Sequence, residues 1–274
     1  ERIGMEPTSR PSAAMRRFFH SYRGRILIAL ILIAIIQLVS FWTAVVLPYQ
    51  RERRIAGKIQ TIGGSINSVY VGSNSTPKSV DGETYFPQRI SIISIRGKEL
   101  PSDLFSDLEF LPHLAHLDLH DCGGVSDSSL RHLKGFTGLE LLDICNSQVT
   151  DAGLEQMKGF MSLRTLNVSH GRITDDGLQN LDGLSGLRSL LIEGNQITDK
   201  GLEHLKRHTQ LNCLFAGNDR ITDAGLEHLQ SMTALVHLAI RNAPITDKGL
   251  EHLRGMTALR GLNLSNTRIT DAGL

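Results

Sequence analysis

Five side chains with metal- or acid–base-capable chemistry fall close together in the sequence: His116, Asp118 and His120 in one segment, then Asp143 and Cys145. Imidazole, carboxylate and thiolate are the donors that zinc takes. The spacing restricts what they can do. On a strand, residues i and i+4 lie about 13 Å apart, so His116 and His120 cannot share an ion. A site would draw on His120 and Cys145 with Asp118 or Asp143. Two carboxylates in reach of each other, Asp118 and Asp143, could raise one another's pKa. Glycosidase-like use of such a pair needs a cleft, and an open sheet has none. The expected state of this group is therefore a polar surface patch, with no metal and no catalytic residue. A second set is of a different kind. Leu191 and Phe215 are apolar residues at positions that should face solvent, with Glu193 and Arg241 near them. An exposed aromatic with a polar rim is the form of an interface anchor, although single surface apolars are ordinary. The chain has no Walker loop, no GxGxxG after a strand, no GxSxG and no HExxH, so no cofactor and no enzyme activity are expected.

These residues sit on a repeat. Blocks begin at Ile90, Leu114, Leu139, Leu163, Leu187, Leu211, Leu235 and Leu259, in steps of 24 residues with one of 25 at Gly123-Gly124. Each block has apolar residues at offsets 0, 3 and 5, as in Leu187, Leu190 and Ile192, which predicts a short strand with one inward face. An aliphatic follows at offset 10, then Thr-Asp, as in Thr198-Asp199. That pair predicts a helix start, with the hydroxyl as cap and the carboxylate at the positive dipole end. Apolar residues at offsets 15, 18 and 21 (Leu154, Met157, Phe160) predict one face of a single short helix. Glycine recurs at offset 14, from Gly153 to Gly273, with Ser129 as the exception. Glycine in a helix costs about 1 kcal/mol relative to alanine, so its recurrence predicts that neighbouring coils touch there. Such a unit buries its apolar face only against a neighbour, so strands must line one concave sheet and helices the convex back. Offsets 2, 4 and 6 then point outward from the concave face. Offset 4 reads Asp118, Asp143, Asn167, Leu191, Phe215, Ala239, Asn263, and equal offsets form rows across the strands.

The units LLIEGNQITDKGLEHL, LAIRNAPITDKGLEHL and LNLSNTRITDAGL resemble the bacterial leucine-rich-repeat subtype LxxLxLxxTxITDxGLxxL. They are most similar to membrane-anchored repeat proteins of planctomycete bacteria. The resemblance covers residues 90–274 strongly and 26–72 weakly. It implies an α/β fold, a ribonuclease-inhibitor-like horseshoe preceded by one transmembrane helix, and a protein-interaction role. The sequence departs from the usual asparagine ladder at offset 8. Cys122, Ser147, Gly171, Asp219, Ala243 and Thr267 stand there, and Asn195 alone keeps the common residue.

The rest of the chain frames the repeat. Its net charge is +1 over 274 residues, yet residues 1–60 hold ten Lys/Arg against three Asp/Glu. That basic end flanks an apolar run, which points to a membrane rather than to nucleic acid. Ile26 to Leu47 is 22 residues without a charge. As a helix it reaches about 33 Å, enough to span the hydrocarbon core. Trp42 and Tyr49 would sit at an interface, and Pro48 closes the run. The rival readings are a cleaved signal peptide, whose apolar core is shorter, or a buried core helix. The flanking arginines nearly balance, with a slight excess before the span. That places the N-terminus in the cytoplasm and the repeats outside it. Met15 is a natural start position.

The expected organisation is a basic tail over 1–25 and a transmembrane helix over 26–48. A juxtamembrane helix, short strand and linker fill 49–89, and about 7.7 repeats fill 90–274. The charged helix 49–62 should stop at Gly63-Gly64, with a strand over 66–72 and a loop over 73–88. Asn74-Ser75-Thr76 has the form of a glycosylation sequon. Three cysteines give neither a disulfide framework nor a CxxC pair. The last coil stops at Leu274 without a polar cap and reads as an incomplete solenoid.

The function expected is that of a single-pass membrane scaffold. It binds a protein or peptide on its concave face, through Leu191, Phe215, Glu193, Arg241, Asp118 and Asp143. It touches lipid through 26–48 and needs no nucleic acid, metal or small-molecule cofactor. The alternatives are a ubiquitin-ligase adaptor, for which residues 49–89 are too short and polar to form an F-box, and the recognition arm of an enzyme whose catalytic domain lies elsewhere.

Overall fold

A computed structural model of the chain describes residues 22–70, 78–80, 83–85, 88–218 and 220–273. The tail 1–21, the sequon, Asp219 and Leu274 lie outside the described residues. The chain divides into two compact units, one ending at Arg51 and one beginning at Glu52.

The first unit is helical: α1 (Tyr22–Phe41), a π-helical turn (Trp42–Val46), and the start of α2 (Leu47–Thr61). The helical stretch from Ile26 is long and apolar enough to cross a membrane. Its large aliphatic side chains face outward, as Ile36 and Leu38 do. Pro48 lies within this helical stretch without breaking it. Proline lacks the N–H that would close the next turn. The turn before it has widened instead, with the Leu47 N–H donating to the Trp42 carbonyl, five residues back.

The second unit begins with the rest of α2. Glu52, Ile55 and Ile59 recur at helical spacing and are buried. Gly63 and Gly64 end the helix as the sequence predicts. The Gly64 N–H reaches the Ile59 carbonyl at 2.9 Å and the Gly63 N–H reaches Gln60 at 3.0 Å. This pairing needs the left-handed φ of +81° that Gly63 adopts. Strand β1 (Ser65–Tyr70) pairs antiparallel with β4 (Gln88–Ser94). The segment between them, expected as a loop, holds a hairpin of β2 (Lys78–Val80) and β3 (Glu83–Tyr85).

From β4 the sheet continues in parallel and in chain order. It runs through β5 (His116–Asp118), β6 (Leu141–Asp143), β7 (Thr165–Asn167), β8 (Ser189–Leu191), β9 (Cys213–Phe215), β10 (His237–Ala239) and β11 (Gly261–Asn263). The register joins equal offsets: His116 to Leu141, Thr165, Ser189, Cys213, His237 and Gly261. From β5 to β10 the middle residue of each strand points inward, and Leu117, Leu142, Leu166, Leu190, Leu214 and Leu238 are all buried. The offset-10 aliphatics Val149, Ile173, Ile197, Ile221 and Ile245 join the same core. The fold is a leucine-rich-repeat solenoid of parallel strands and short helices.

The convex side departs from a single helix per coil. The helices are short: α3 (Leu104–Leu108), α4 (Asp127–Leu130), α5 (Asp151–Glu155), α6 (Asp175–Leu178), α7 (Asp199–Leu205), α8 (Asp223–Glu227) and α9 (Asp247–Glu251). Beyond α5 the chain turns through three-residue steps. Met157 donates to Leu154, Phe160 to Met157 and Leu163 to Phe160, at 2.9–3.0 Å. An apolar spacing of three matches a 3₁₀ turn better than a 3.6-residue helix, and all four side chains are fully buried.

The Thr-Asp pair does more than cap a helix. Each aspartate reaches the threonine of the next coil, so Asp175 Oδ1 accepts from the Thr198 N–H (2.8 Å) and Oδ2 from its hydroxyl (2.6 Å). The same double bond recurs at Asp127, Asp151, Asp199, Asp223 and Asp247. This ladder explains the recurrent glycine. A Cβ on Gly153 would come within 2.5 Å of the Asp127 carboxylate, and every later glycine of the row faces the aspartate one coil back. Ser129 is tolerated because the ladder starts only at Asp127. Its hydroxyl serves the local turn, accepting from the Ser126 N–H and donating to the Gly124 carbonyl.

Candidate interaction face

The outward residues of the concave sheet divide into two regions. In β5, β6 and β7 offset 4 is polar, and each side chain bends back onto its own strand. Asp118 accepts from the His120 N–H (3.2 Å), Asp143 from Cys145 (3.0 Å) and Asn167 from Ser169 (3.1 Å). The second oxygens are also engaged. Asp118 takes Ser94 Oγ and the Arg96 guanidinium, and Asp143 takes Asn167 Nδ2 at 3.0 Å. Asp118 and Asp143 thus stand on adjacent strands as predicted, but donors within the sheet hold both. Their side chains are only 13% and 18% exposed.

In β8 and β9 the same offset is Leu191 and Phe215, in direct register. Both are half-buried. Neither can bond back to its strand. Glu193 and Arg241, expected as a rim, form a bidentate pair across the intervening coil, Nε to Oε1 at 2.9 Å and Nη2 to Oε2 at 2.6 Å. Hydrogen bonding to Glu193 raises the Arg241 pKa further above its ordinary value. Gly217 lies between them, where a Cβ would collide with the Arg241 backbone.

The strand ends hold the other set of candidates. His120 and Cys145 come together as predicted, but the third member is Asp121, which the sequence reading passed over. His116 stands four residues before His120, at the start of β5. Burial pushes the Cys145 thiol up to about 11, with the charges of Asp143 and Asp121 adding to it. Burial also raises Cys122 and Cys213. All three are free thiols, held protonated and so poor nucleophiles.

One further feature escaped the sequence reading. His208 occupies offset 21, where other coils place Phe160, Leu184 and Met232, and its Nε2 is buried without a hydrogen-bond partner. At offset 8, Asn195 is buried and bonds Ile173, Val168 and Ile192. Where asparagine is missing, Cys122 donates its thiol to Ile95, Thr267 its hydroxyl to Leu264, and Asn218, one residue earlier, its amide to Ile197.

Residues 137–197 match the family model described as leucine rich repeat. Among solved structures, an internalin of Listeria monocytogenes (inlF) aligns at 28% identity with a TM-score of 0.50, over 61% of this chain and 46% of that one. The chain therefore spans less than half the length of that relative. Internalin C2 of the same organism aligns at 24% identity with a TM-score of 0.54, over 67% and 74%, and shares the fold. No curated protein matches the sequence.

Proposed function

We propose that this leucine-rich-repeat chain is a single-pass membrane-anchored scaffold of the planctomycete type, binding a protein or peptide on its concave face without catalysing a reaction. The observation that carries the reading is the Leu191–Phe215 cross-strand pair. It is apolar where the preceding coils hold aspartate or asparagine and the next coil a buried alanine, it is partly open to solvent, and an ion pair borders it. Aromatic and aliphatic anchors beside a polar rim dominate interface energetics. A binding role also accounts for the polar coils, whose carboxylates already hold internal donors.

The anchor reading rests on the uncharged stretch from Ile26 to Leu47. With the N-terminus in the cytoplasm, the repeats lie outside it. The intact mass of the membrane-extracted protein checks this: loss of the apolar segment would identify a cleaved signal peptide instead.

The binding reading is tested by selecting peptides from a random library on the full chain in lipid nanodiscs. Selected peptides should bind Leu191→Ala and Phe215→Ala at least about tenfold more weakly, the effect of one lost anchor. Equal affinity for wild type and both variants refutes the concave patch.

A further inference from the structure

We propose that His120, Asp121 and Cys145 form a divalent metal site of the zinc class, with Asp143 and Asn146 as its outer shell. The His120, Asp121 and Cys145 ligand atoms all lie within 4.8 Å of one another. Tetrahedral zinc bonds of about 2.0–2.3 Å place ligands roughly 3.3–3.8 Å apart. His120 Nε2 and Asp121 Oδ2, at 3.4 Å, already stand at that separation. The thiol, within 4.8 Å of both, has at most about 1 Å to close, within the reach of side-chain rotation.

The surrounding bonds single out the ligating atoms. Asp143 Oδ1 lies 3.4 Å from His120 Nδ1. A proton held there leaves the Nε2 lone pair on Asp121 Oδ2's side of the ring, the carboxylate–histidine–metal arrangement. Asn146 Nδ2 donates to Asp121 Oδ1 at 2.5 Å, which leaves Oδ2 available. Asp143 is itself fixed by the Cys145 N–H and by Asn167. His120 and Asp121 thus each have their second atom already occupied.

The repeat supplies an internal comparison. At offset 6 the later coils carry Ser169, Glu193, Gly217, Arg241 and Ser265, and at offset 7 mostly asparagine. The histidine, the aspartate and the cysteine coincide only at the β5–β6 junction. Three protein ligands leave a fourth position to solvent, so the ion is exchangeable and could take a donor from a partner. On binding, a metal–sulfur bond forms and the thiol proton passes to solvent. Affinity therefore rises with pH.

The test is a cobalt titration of the full chain in detergent. One equivalent of Co²⁺ should bind with a thiolate-to-metal charge-transfer band that Zn²⁺ abolishes. Cys145→Ser should remove the band, while Cys213→Ser and Cys122→Ser leave it. Asp121→Asn is a variant safe for folding, because Asn146, Asn242 and Asn266 adopt the same left-handed φ of 55–59°. It should weaken binding at least tenfold. Asp143→Asn should weaken it about 10- to 100-fold, as outer-shell changes do. Absence of the band in wild type overturns the proposal, as does its survival in Cys145→Ser or wild-type affinity in Asp121→Asn.

Discussion

From β5 to β7 the outward residue at the end of each strand is Asp118, Asp143 or Asn167. In β8 and β9 the same place holds Leu191 and Phe215. The backbone is common to both regions: strands three residues long, equal offsets in register, and the same aspartate–threonine ladder behind. The side chains use it differently. A carboxylate or amide at offset 4 can bond the N–H two residues on and so satisfies its own strand. An aliphatic or aromatic residue cannot, and its outer surface is left for a ligand. One backbone plan therefore carries a self-sufficient polar region beside a region with unsatisfied apolar area.

That contrast can be broken at its joint. Asp175, between the β7 and β8 coils, binds both the N–H and the hydroxyl of Thr198. Asp175→Ala removes two charge-assisted bonds and leaves a half-buried N–H unpaired. It should cost about 2–4 kcal/mol in chemical denaturation, whichever region is probed.

The next test separates stability from binding. Asp143→Ala should destabilise by about 1–3 kcal/mol, because the Cys145 N–H and Asn167 lose their acceptor. It should leave peptide affinity within about twofold. Phe215→Ala should do the reverse, lowering affinity about tenfold while costing less in stability, since the ring is only half-buried.

A smaller effect comes from His208 in the apolar region's own core. Burial lowers its pKa below the ordinary histidine value, against a small opposing pull from Asp182. The neutral form is therefore the folded form. Stability on this account is fully present above about pH 6.5 and declines as pH falls through the depressed folded value. His208→Met, which restores the residue type of Met232, should raise stability by about 1–2 kcal/mol at neutral pH. It should also flatten the acid side of the unfolding profile. Smallest of all, Arg241→Ala removes an ion pair whose arginine is 44% exposed and should cost at most about 1 kcal/mol.

The coil register was legible from the leucine spacing, because strands with one buried face admit no slip. The glycine row was legible as a contact but not as to what it touched. The Asp127–Thr150 type of bond spans 23 residues and appears only when coils are stacked. The offset 15–18–21 row was read as one helix because apolar spacing alone does not separate period 3 from period 3.6. In the candidate face, Leu191 and Phe215 could be placed from sequence. The engagement of Asp118 by Arg96 could not, since it depends on the diverged first coil. Asp121 was passed over because offset 7 in other coils is a turn position. Its role follows only from its meeting with His120 and Cys145 across two coils. The buried face of α2 was hidden by its charges, although Ile55 and Ile59 keep helical spacing between them.

The claim that the two concave regions differ in role is tested most directly by backbone hydrogen exchange of the full chain with and without a selected peptide. Added protection is expected at the ends of β8, β9 and β10, around Leu191, Phe215 and Arg241, with β5 and β6 unchanged. Protection centred on β5 and β6, or on the convex helices, would contradict it.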